Sequence, residues 1–428
     1  MRGPAGSSGH PGRDGLGLGT RGASRGRARP SPQGGPLLRK DPVVGAAISP
    51  LSDLQSLLTV YRPDLATELT ALDAPAYRYQ QVYEHLFLRP GEPFAQATAL
   101  PIPTRIALDS YGESTLSSDA SRTATDGTTK LLLSGSDGLR LETVLMPYRD
   151  RSTVCVSSQV GCPVGCAFCA TGAMGFRRNL VVGEIVDQVR MAASLAGRLG
   201  RRVSNVVFMG MGEPLLSLQA VLDSIRILTD PHGLNLAHRS ISISTIGIPG
   251  GILRLARAEP QVNLALSLHA ADDRTRARLV PPRFRHPLAE ILDAAWEHFA
   301  ITRRKLLVEY VLIKGVNDSH EDAHRLAGLL RGRVVTVNLL AWNPILRSTG
   351  TLSSSEPDPA KDRRANARDL NRPILRTLAA PSRASVAGFR DTLSAAGVKT
   401  VIRHSKGSRI GAACGQLAAQ HDSYFPYL

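Results

Sequence analysis

The chain has 428 residues, 43% of them hydrophobic and 21% charged, enough to bury a full core and to make more than one folding unit. It contains no run of about 18 apolar residues and no apolar stretch near its N-terminus of the kind a secretory signal needs, so a membrane span is excluded and the cytoplasm is the expected compartment. The formal net charge of +16 favours an anionic partner.

Residues 1–42 are dominated by Gly, Pro, Ser and Arg and offer almost nothing to bury, which predicts a disordered basic tail. Over 43–115, apolar residues recur at helical spacing in LSDLQSLLTVY and YRYQQVYEHLFL between Pro-containing breaks, and a small helical domain is expected. Residues 116–150 hold two apolar runs around Ser-Asp-Gly, the mark of a β-hairpin. From 151 to 346, short apolar strands alternate with amphipathic helices, the strands falling near Val154 and over 203–210, 239–244, 262–268, 306–313 and 334–340. Repeated βα units of this length predict an α/β fold with a parallel sheet, open or curled into a barrel. Residues 347–383, rich in Ser, Pro and Arg, read as a loop insertion. Residues 384–428 supply a last helix, a last strand and the Gly-rich SKGSRIGAACGQL. The tail holds eight Lys/Arg against two Asp and the insertion eight against four acidic residues, so the body is less basic than the total suggests.

Four of the five cysteines, Cys155, Cys162, Cys166 and Cys169, fall within fifteen residues, which signals metal or redox chemistry rather than a disulfide scaffold. Cys162-Pro-Val-Gly-Cys166-Ala-Phe-Cys169 sets three thiols in a short loop after a predicted strand, and such a loop can wrap several sulfurs around an iron–sulfur cluster. Three local ligands would leave one iron open to a small molecule. A structural zinc site is the alternative, but zinc normally closes with four ligands, and Cys155 on its strand is poorly placed as the fourth.

Met209-Gly-Met-Gly-Glu-Pro-Leu215 follows a predicted strand, where βα architectures bind ligands, and its glycines allow a close backbone approach beside a carboxylate. Ser244, Ser267 and Asn343 lie at or just past strand ends, where a polar residue can equally cap a turn or the next helix. Cys414, between Gly411 and Gly415 in a loop expected to be mobile, is either a small buried hydrophobe or a nucleophile.

The CxxxCxxC spacing is that of the radical S-adenosylmethionine (SAM) superfamily. The run Cys155-Val-Ser-Ser-Gln-Val-Gly-Cys162 resembles the RlmN/Cfr family of RNA adenine-carbon methyltransferases, as do Ala170-Thr-Gly-Ala-Met-Gly-Phe-Arg-Arg-Asn-Leu180 and Phe208-Met-Gly-Met-Gly-Glu-Pro-Leu215. Ser267-Leu-His-Ala270, Trp342-Asn-Pro344 and Ala413-Cys-Gly-Gln-Leu417 extend the likeness in the order the family has them. The resemblance implies a partial (β/α)6 barrel, a [4Fe-4S] cluster on Cys162, Cys166 and Cys169 with SAM on the open iron, and SAM contacts from Gly212, Glu213, Ser244, Ser267, Leu268, His269 and Asn343. It implies that Cys414 carries the methyl group as S-methylcysteine and that Cys155 resolves the RNA adduct through a transient disulfide with Cys414. It also makes Glu142 the proton acceptor, although unaided that residue reads as a solvent-facing strand position.

By the same resemblance the product is 2-methyladenine in 23S rRNA at the peptidyl-transferase centre, and in tRNA beside the anticodon; a Cfr-like enzyme would methylate carbon 8 with the same machinery. The expected enzyme is a monomer served by an electron donor whose identity the sequence does not specify. An adenine drawn into a pocket must be unstacked, so single-stranded or looped RNA is expected, with backbone contacts from Arg177, Arg178, Arg303, Arg304, Lys305 and the helical domain. Two stretches depart from the family pattern: Val280-Pro-Pro-Arg-Phe-Arg-His-Pro287, where members commonly read Pro-Ile-Asn, and the long insertion. Two other classes stay open: an RNA-binding module with a cluster or zinc but no catalysis, and a radical SAM enzyme on a non-RNA substrate, which would not need Cys155 and Cys414 as a pair.

Overall fold

A computed structural model describes residues 54–345 and 378–418. The predicted tail, and the insertion as far as residue 377, lie outside the described residues. The expected helical region comprises α1 (Leu54–Tyr61), α2 (Pro63–Ala71), α3 (Ala76–Leu88) and α4 (Ile102–Asp109). Prolines set its breaks: Pro63 opens α2, where a missing N–H costs nothing, and Pro75 and Pro101 stand immediately before α3 and α4.

The main sheet has ten strands among the described residues. β1 (Leu116–Thr123), β2 (Thr129–Gly135) and β3 (Arg140–Pro147) form an antiparallel meander, in which β2 and β3 are the predicted hairpin. β1 was not expected, because LSSDASRT is an edge strand with mostly exposed polar residues and no apolar alternation to announce it. β4 (Ser152–Cys155) pairs antiparallel with β3 and begins the parallel part of the sheet. A two-stranded ribbon, β5 (Gln159–Gly161) and β6 (Phe176–Asn179), brackets the cysteine loop and the short helix α5 (Ala170–Met174).

The remaining units alternate as predicted: α6 (Val182–Arg198), β7 (Val203–Phe208), α7 (Leu218–Thr229), β8 (Ile241–Thr245), α8 (Pro249–Ala258), β9 (Asn263–Ser267), α9 (Asp273–Leu279), α10 (Leu288–Thr302), β10 (Leu306–Leu312), α11 (His320–Leu330) and β11 (Val335–Ala341). Side-chain caps start several helices: Asp272 accepts from the Thr275 N–H before α9, and Ser319 and Asp322 form a reciprocal box at α11. β4, β7, β8, β9, β10 and β11 are parallel neighbours in that order, the six strands of the partial (β/α)6 barrel. After α12 (Arg383–Ala395), β12 (Thr400–Ile402) joins β11 in parallel.

Beyond β12 the chain leaves one side of the sheet and reaches the meander at the other. Lys406 Nζ donates to the Pro147 carbonyl at 2.9 Å, Lys130 Nζ to the Gly411 carbonyl at 3.2 Å, and the Ala418 N–H to Glu142 Oε2 at 2.9 Å. This segment closes the open side of the barrel.

The helical region shares a continuous apolar core with the barrel, through residues such as Leu65, Tyr83 and Leu86. A buried polar cluster fastens it to α6. Asp187 accepts from Tyr61 Oη and pairs with Arg190, both at 2.5 Å, and its second oxygen accepts from the Thr115 N–H at 2.6 Å.

Candidate active site

The cysteine loop is shaped by contacts at its two ends and its middle. Gly161, at φ +74°, could not carry a side chain, because a Cβ would lie 1.8 Å from the Gly175 carbonyl oxygen. That closeness lets the Cys162 N–H donate to the same oxygen at 3.1 Å. In the middle, the Ala167 N–H donates to Leu279 O at 2.9 Å, and the Trp342 indole N–H to Phe168 O at 3.0 Å.

Cys162, Cys166 and Cys169 all border one cavity. Burial pushes the Cys162 thiol up to about 12 and raises Cys166 well above the ordinary cysteine value, so ionisation needs a positive centre beside them. Among the described residues no three His, Cys, Asp or Glu converge as the shell of a single ion. Three free thiols on one loop facing one chamber are the kind of donor set that a cluster with one open iron takes.

The cavity gathers ten of the thirteen residues expected from the sequence. These are the three loop cysteines, Gly212, Glu213, Ser244, Ser267, His269, Asn343 and Cys414. Glu213 is buried, and its carboxylate accepts from the Ile246 N–H at 2.9 Å and the Leu215 N–H at 3.1 Å. Burial outweighs these donors and raises its pKa to about 7. Gly212 sits at φ +103°, where a Cβ would meet Gln159 Cβ at 2.6 Å.

Further round the wall, the Ser244 and Ser267 hydroxyls bond each other at 2.9 Å. His269 accepts at Nδ1 from the Val311 N–H at 3.1 Å, which leaves the ring proton on Nε2. Burial, helped by Arg276, lowers its pKa to about 3, so the ring stays neutral. Its edge meets Phe168 with centroids 4.8 Å apart.

Cys414 is accessible in the cavity yet walled by protein, and that enclosure, with Glu309 and Cys169 nearby, pushes its thiol up to about 11. Its loop, expected to be mobile, is tethered along its length. The Ala170 N–H donates to Gly415 O at 2.8 Å, Thr171 Oγ1 to Leu417 O at 2.7 Å, and Gln416 Nε2 to Pro344 O at 2.7 Å. Asn343 Nδ2 reaches Cys414 O at 3.4 Å.

Leu268, Cys155 and Glu142 are not part of the cavity wall. Leu268 is fully buried and donates its N–H to Glu309 O at 3.1 Å. Cys155 ends β4 beneath the wall, its pKa raised by burial and by the neighbouring Cys414. Both are free thiols, so the expected disulfide between them is not formed here. Glu142, which unaided reads as solvent-facing, is completely buried: it points at Lys130, 2.8 Å away, behind the Cys414 loop.

The sequence reading missed Glu309, a cavity residue in the apolar strand β10. Its Oε1 accepts from Asn338 Nδ2 at 2.7 Å, and Arg403 Nε donates to Asn338 Oδ1 at 2.9 Å. A lone carboxylate inside LLVEYVL was the available signal. Of the cations expected to meet RNA, Arg178 is engaged by Asp137 and Glu184 at 2.5 and 2.7 Å. Arg303, Arg304 and Lys305 precede β10, at the strand end away from the cavity, with Arg304 bonded to Asn263 at 2.6 Å.

The Radical SAM superfamily model matches residues 156–327. A probable dual-specificity RNA methyltransferase RlmN from Thermus thermophilus is 42% identical over 348 residues, 81% of this chain and 90% of that protein. The chain belongs to the RlmN family. A dual-specificity RNA methyltransferase RlmN from Syntrophobacter fumaroxidans is 38% identical over 84% of this chain and 96% of its own length. The crystal structure of a radical SAM methyltransferase from Sphaerobacter thermophilus, 40% identical, superposes with a TM-score of 0.73 over 84% of this chain and 97% of that one. As an RlmN-family member the chain is a radical SAM RNA methyltransferase whose cofactors are a [4Fe-4S] cluster and SAM. No helix among the described residues is long and apolar enough to cross a membrane.

Proposed function

We propose that this enzyme forms 2-methyladenine in 23S rRNA and in tRNA beside the anticodon, with Cys414 as the methyl carrier. The observation that carries this reading is that the cluster cysteines and Cys414 face one cavity, through loops hydrogen-bonded to each other. The relatives' description as dual-specificity RNA methyltransferases supports two RNA substrates.

Cys162, Cys166 and Cys169 would hold the cluster, and Gly212, Glu213, Ser244, Ser267, Leu268, His269 and Asn343 would surround SAM. When bound, the cluster supplies the electron that turns one SAM into a hydrogen-abstracting radical. Cys414 Sγ, as the thiolate, attacks the methyl carbon of another SAM, expels S-adenosylhomocysteine and presents the methyl group as S-methylcysteine. Once that carbon is joined to the adenine ring, Cys155 attacks Cys414 Sγ, and the disulfide so formed releases the methylated base. Glu142 lies on the far side of the Cys414 loop, so its carboxylate meets the adduct as proton acceptor only when that loop moves.

Mass spectrometry of nucleosides from cells with and without the gene tests this reading. Loss of 2-methyladenine from both rRNA and tRNA is expected on deletion. Loss of 8-methyladenine instead would reassign the carbon, and no change in either would overturn the proposal.

A further inference from the structure

Both stems of the Cys414 loop end on one buried ion pair. Lys130 on β2 and Glu142 on β3 are diagonal neighbours on one face of the meander, since Glu142 pairs with Leu132 in the register. Their charged groups lie 2.8 Å apart, with side chains 3% and 0% exposed. Each charge also grips the loop backbone. Lys130 Nζ donates to the Gly411 carbonyl at 3.2 Å, and Glu142 Oε2 accepts from the Ala418 N–H at 2.9 Å.

We propose that Lys130 and Glu142 form a clasp that holds the Cys414 loop in register with the cavity, and that Lys130 is a positioning residue of the methyl transfer. The inference rests on Cys414 being the methyl carrier. Burying two charges is expensive, and the cost is offset only when both are paired and their remaining hydrogen-bonding capacity is used. Here part of that capacity goes to two backbone atoms on either side of Cys414. An apolar pair could fill the same space without gripping either. The loop has intrinsic freedom to restrain, because Gly411 and Gly415 adopt φ of +66° and +80°. Small displacements of a reacting atom cost rate steeply, so a carrier sulfur on an unfastened loop would lose alignment with its substrate.

The test uses the full-length, cluster-loaded enzyme. In Lys130→Met/Glu142→Gln both charges go together, leaving no lone buried charge. Ala418→Pro removes the donated N–H while leaving the ion pair untouched. Amide exchange over 407–418 and iodoacetamide labelling of Cys414 are expected to accelerate on the order of tenfold in both variants, with exchange in the barrel strands unchanged. In Ala418→Pro, which keeps the proposed proton acceptor Glu142, the kcat for RNA methylation is expected to fall about tenfold or more at nearly constant KM for RNA, with more 5′-deoxyadenosine released per methyl transferred.

Wild-type exchange and labelling rates in a folded double variant, or in Ala418→Pro if the double variant does not fold, would overturn the clasp. Absence of S-methyl-Cys414 from the wild-type enzyme would overturn the carrier reading instead, and leaves the exchange measurement able to decide whether the clasp exists.

Discussion

Ala170, which follows the last cluster cysteine, donates its N–H to the carbonyl of Gly415, which follows Cys414, at 2.8 Å. The cysteine loop and the Cys414 loop are thus fixed against each other by main-chain atoms, independent of the thiol itself. Cys414→Ala is therefore expected to load its cluster and cleave SAM while RNA methylation falls to background. Measuring 5′-deoxyadenosine and methylated nucleoside in one reaction checks this, and methylation by the variant at more than a few per cent of the wild-type rate would remove Cys414 as carrier.

As a proposed SAM contact, Glu213 is expected to make SAM binding pH-dependent. With no cation beside it, burial holds its carboxyl at about 7, so below that pH it is largely protonated and cannot accept from an ammonium as an anion. SAM affinity should rise as pH increases through about 7, and binding near that pH should release protons. Glu213→Gln is expected to bind SAM on the order of tenfold more weakly, with a flat pH profile. Calorimetry in buffers of different ionisation enthalpy reads both, and identical proton release in the two proteins would refute the assignment.

His298, buried on α10 and remote from the cavity, makes the fold acid-sensitive. Burial, with Arg304 nearby, lowers its pKa from 6.5 to about 4. Above pH 6.5 the ring is neutral in folded and unfolded chains, so it contributes no slope there. Between 6.5 and about 4 the unfolded chain binds a proton that the folded chain refuses, and stability declines as pH falls, by on the order of 3 kcal/mol in total. His298→Asn should lose stability less steeply across that window in urea titrations, whatever its stability at pH 8.

Asp187→Ala should loosen the helical region. It strands Arg190, whose side chain is 2% exposed, and removes the acceptor for Tyr61 and Thr115. A lone buried charge costs about 3–5 kcal/mol. Tyr61→Phe, which removes the hydrogen bonds that Tyr61 Oη makes with Asp187 and Arg190, should cost about 1–3 kcal/mol. Limited proteolysis is expected to cut within residues 54–115 of Asp187→Ala before it cuts the barrel, and simultaneous loss of both would argue against a separable effect.

The barrel was legible because each parallel strand is a short apolar run followed by an amphipathic helix, and the cluster loop because its cysteines are adjacent in sequence. Polar wall residues were harder to read. Ser244, Ser267 and Glu309 sit on neighbouring strands, and only the lateral register, Glu309 opposite both Ser267 and Asn338, shows that they share a chamber. Resemblance supplied Ser244 and Ser267 but not Glu309. Arg303, Arg304 and Lys305 lie at the strand end away from the cavity, and a charge run carries no information about which end of a strand it occupies. Glu142 misled in the opposite sense: its partner Lys130 is twelve residues upstream, on another strand, so nothing local marked it as buried and paired.

The contacts that close the barrel join residues 281 and 276 positions apart, Lys130 with Gly411 and Glu142 with Ala418. Contacts so distant along the chain form after the local βα units, because the entropy of closing so long a loop must be met first. The strands that hold the cluster loop can therefore assemble before Cys414 has anything to dock against. In the order of folding, the strands that carry the cysteine loop precede the segment that carries Cys414, and the proposed methyl carrier is the last component to take its place.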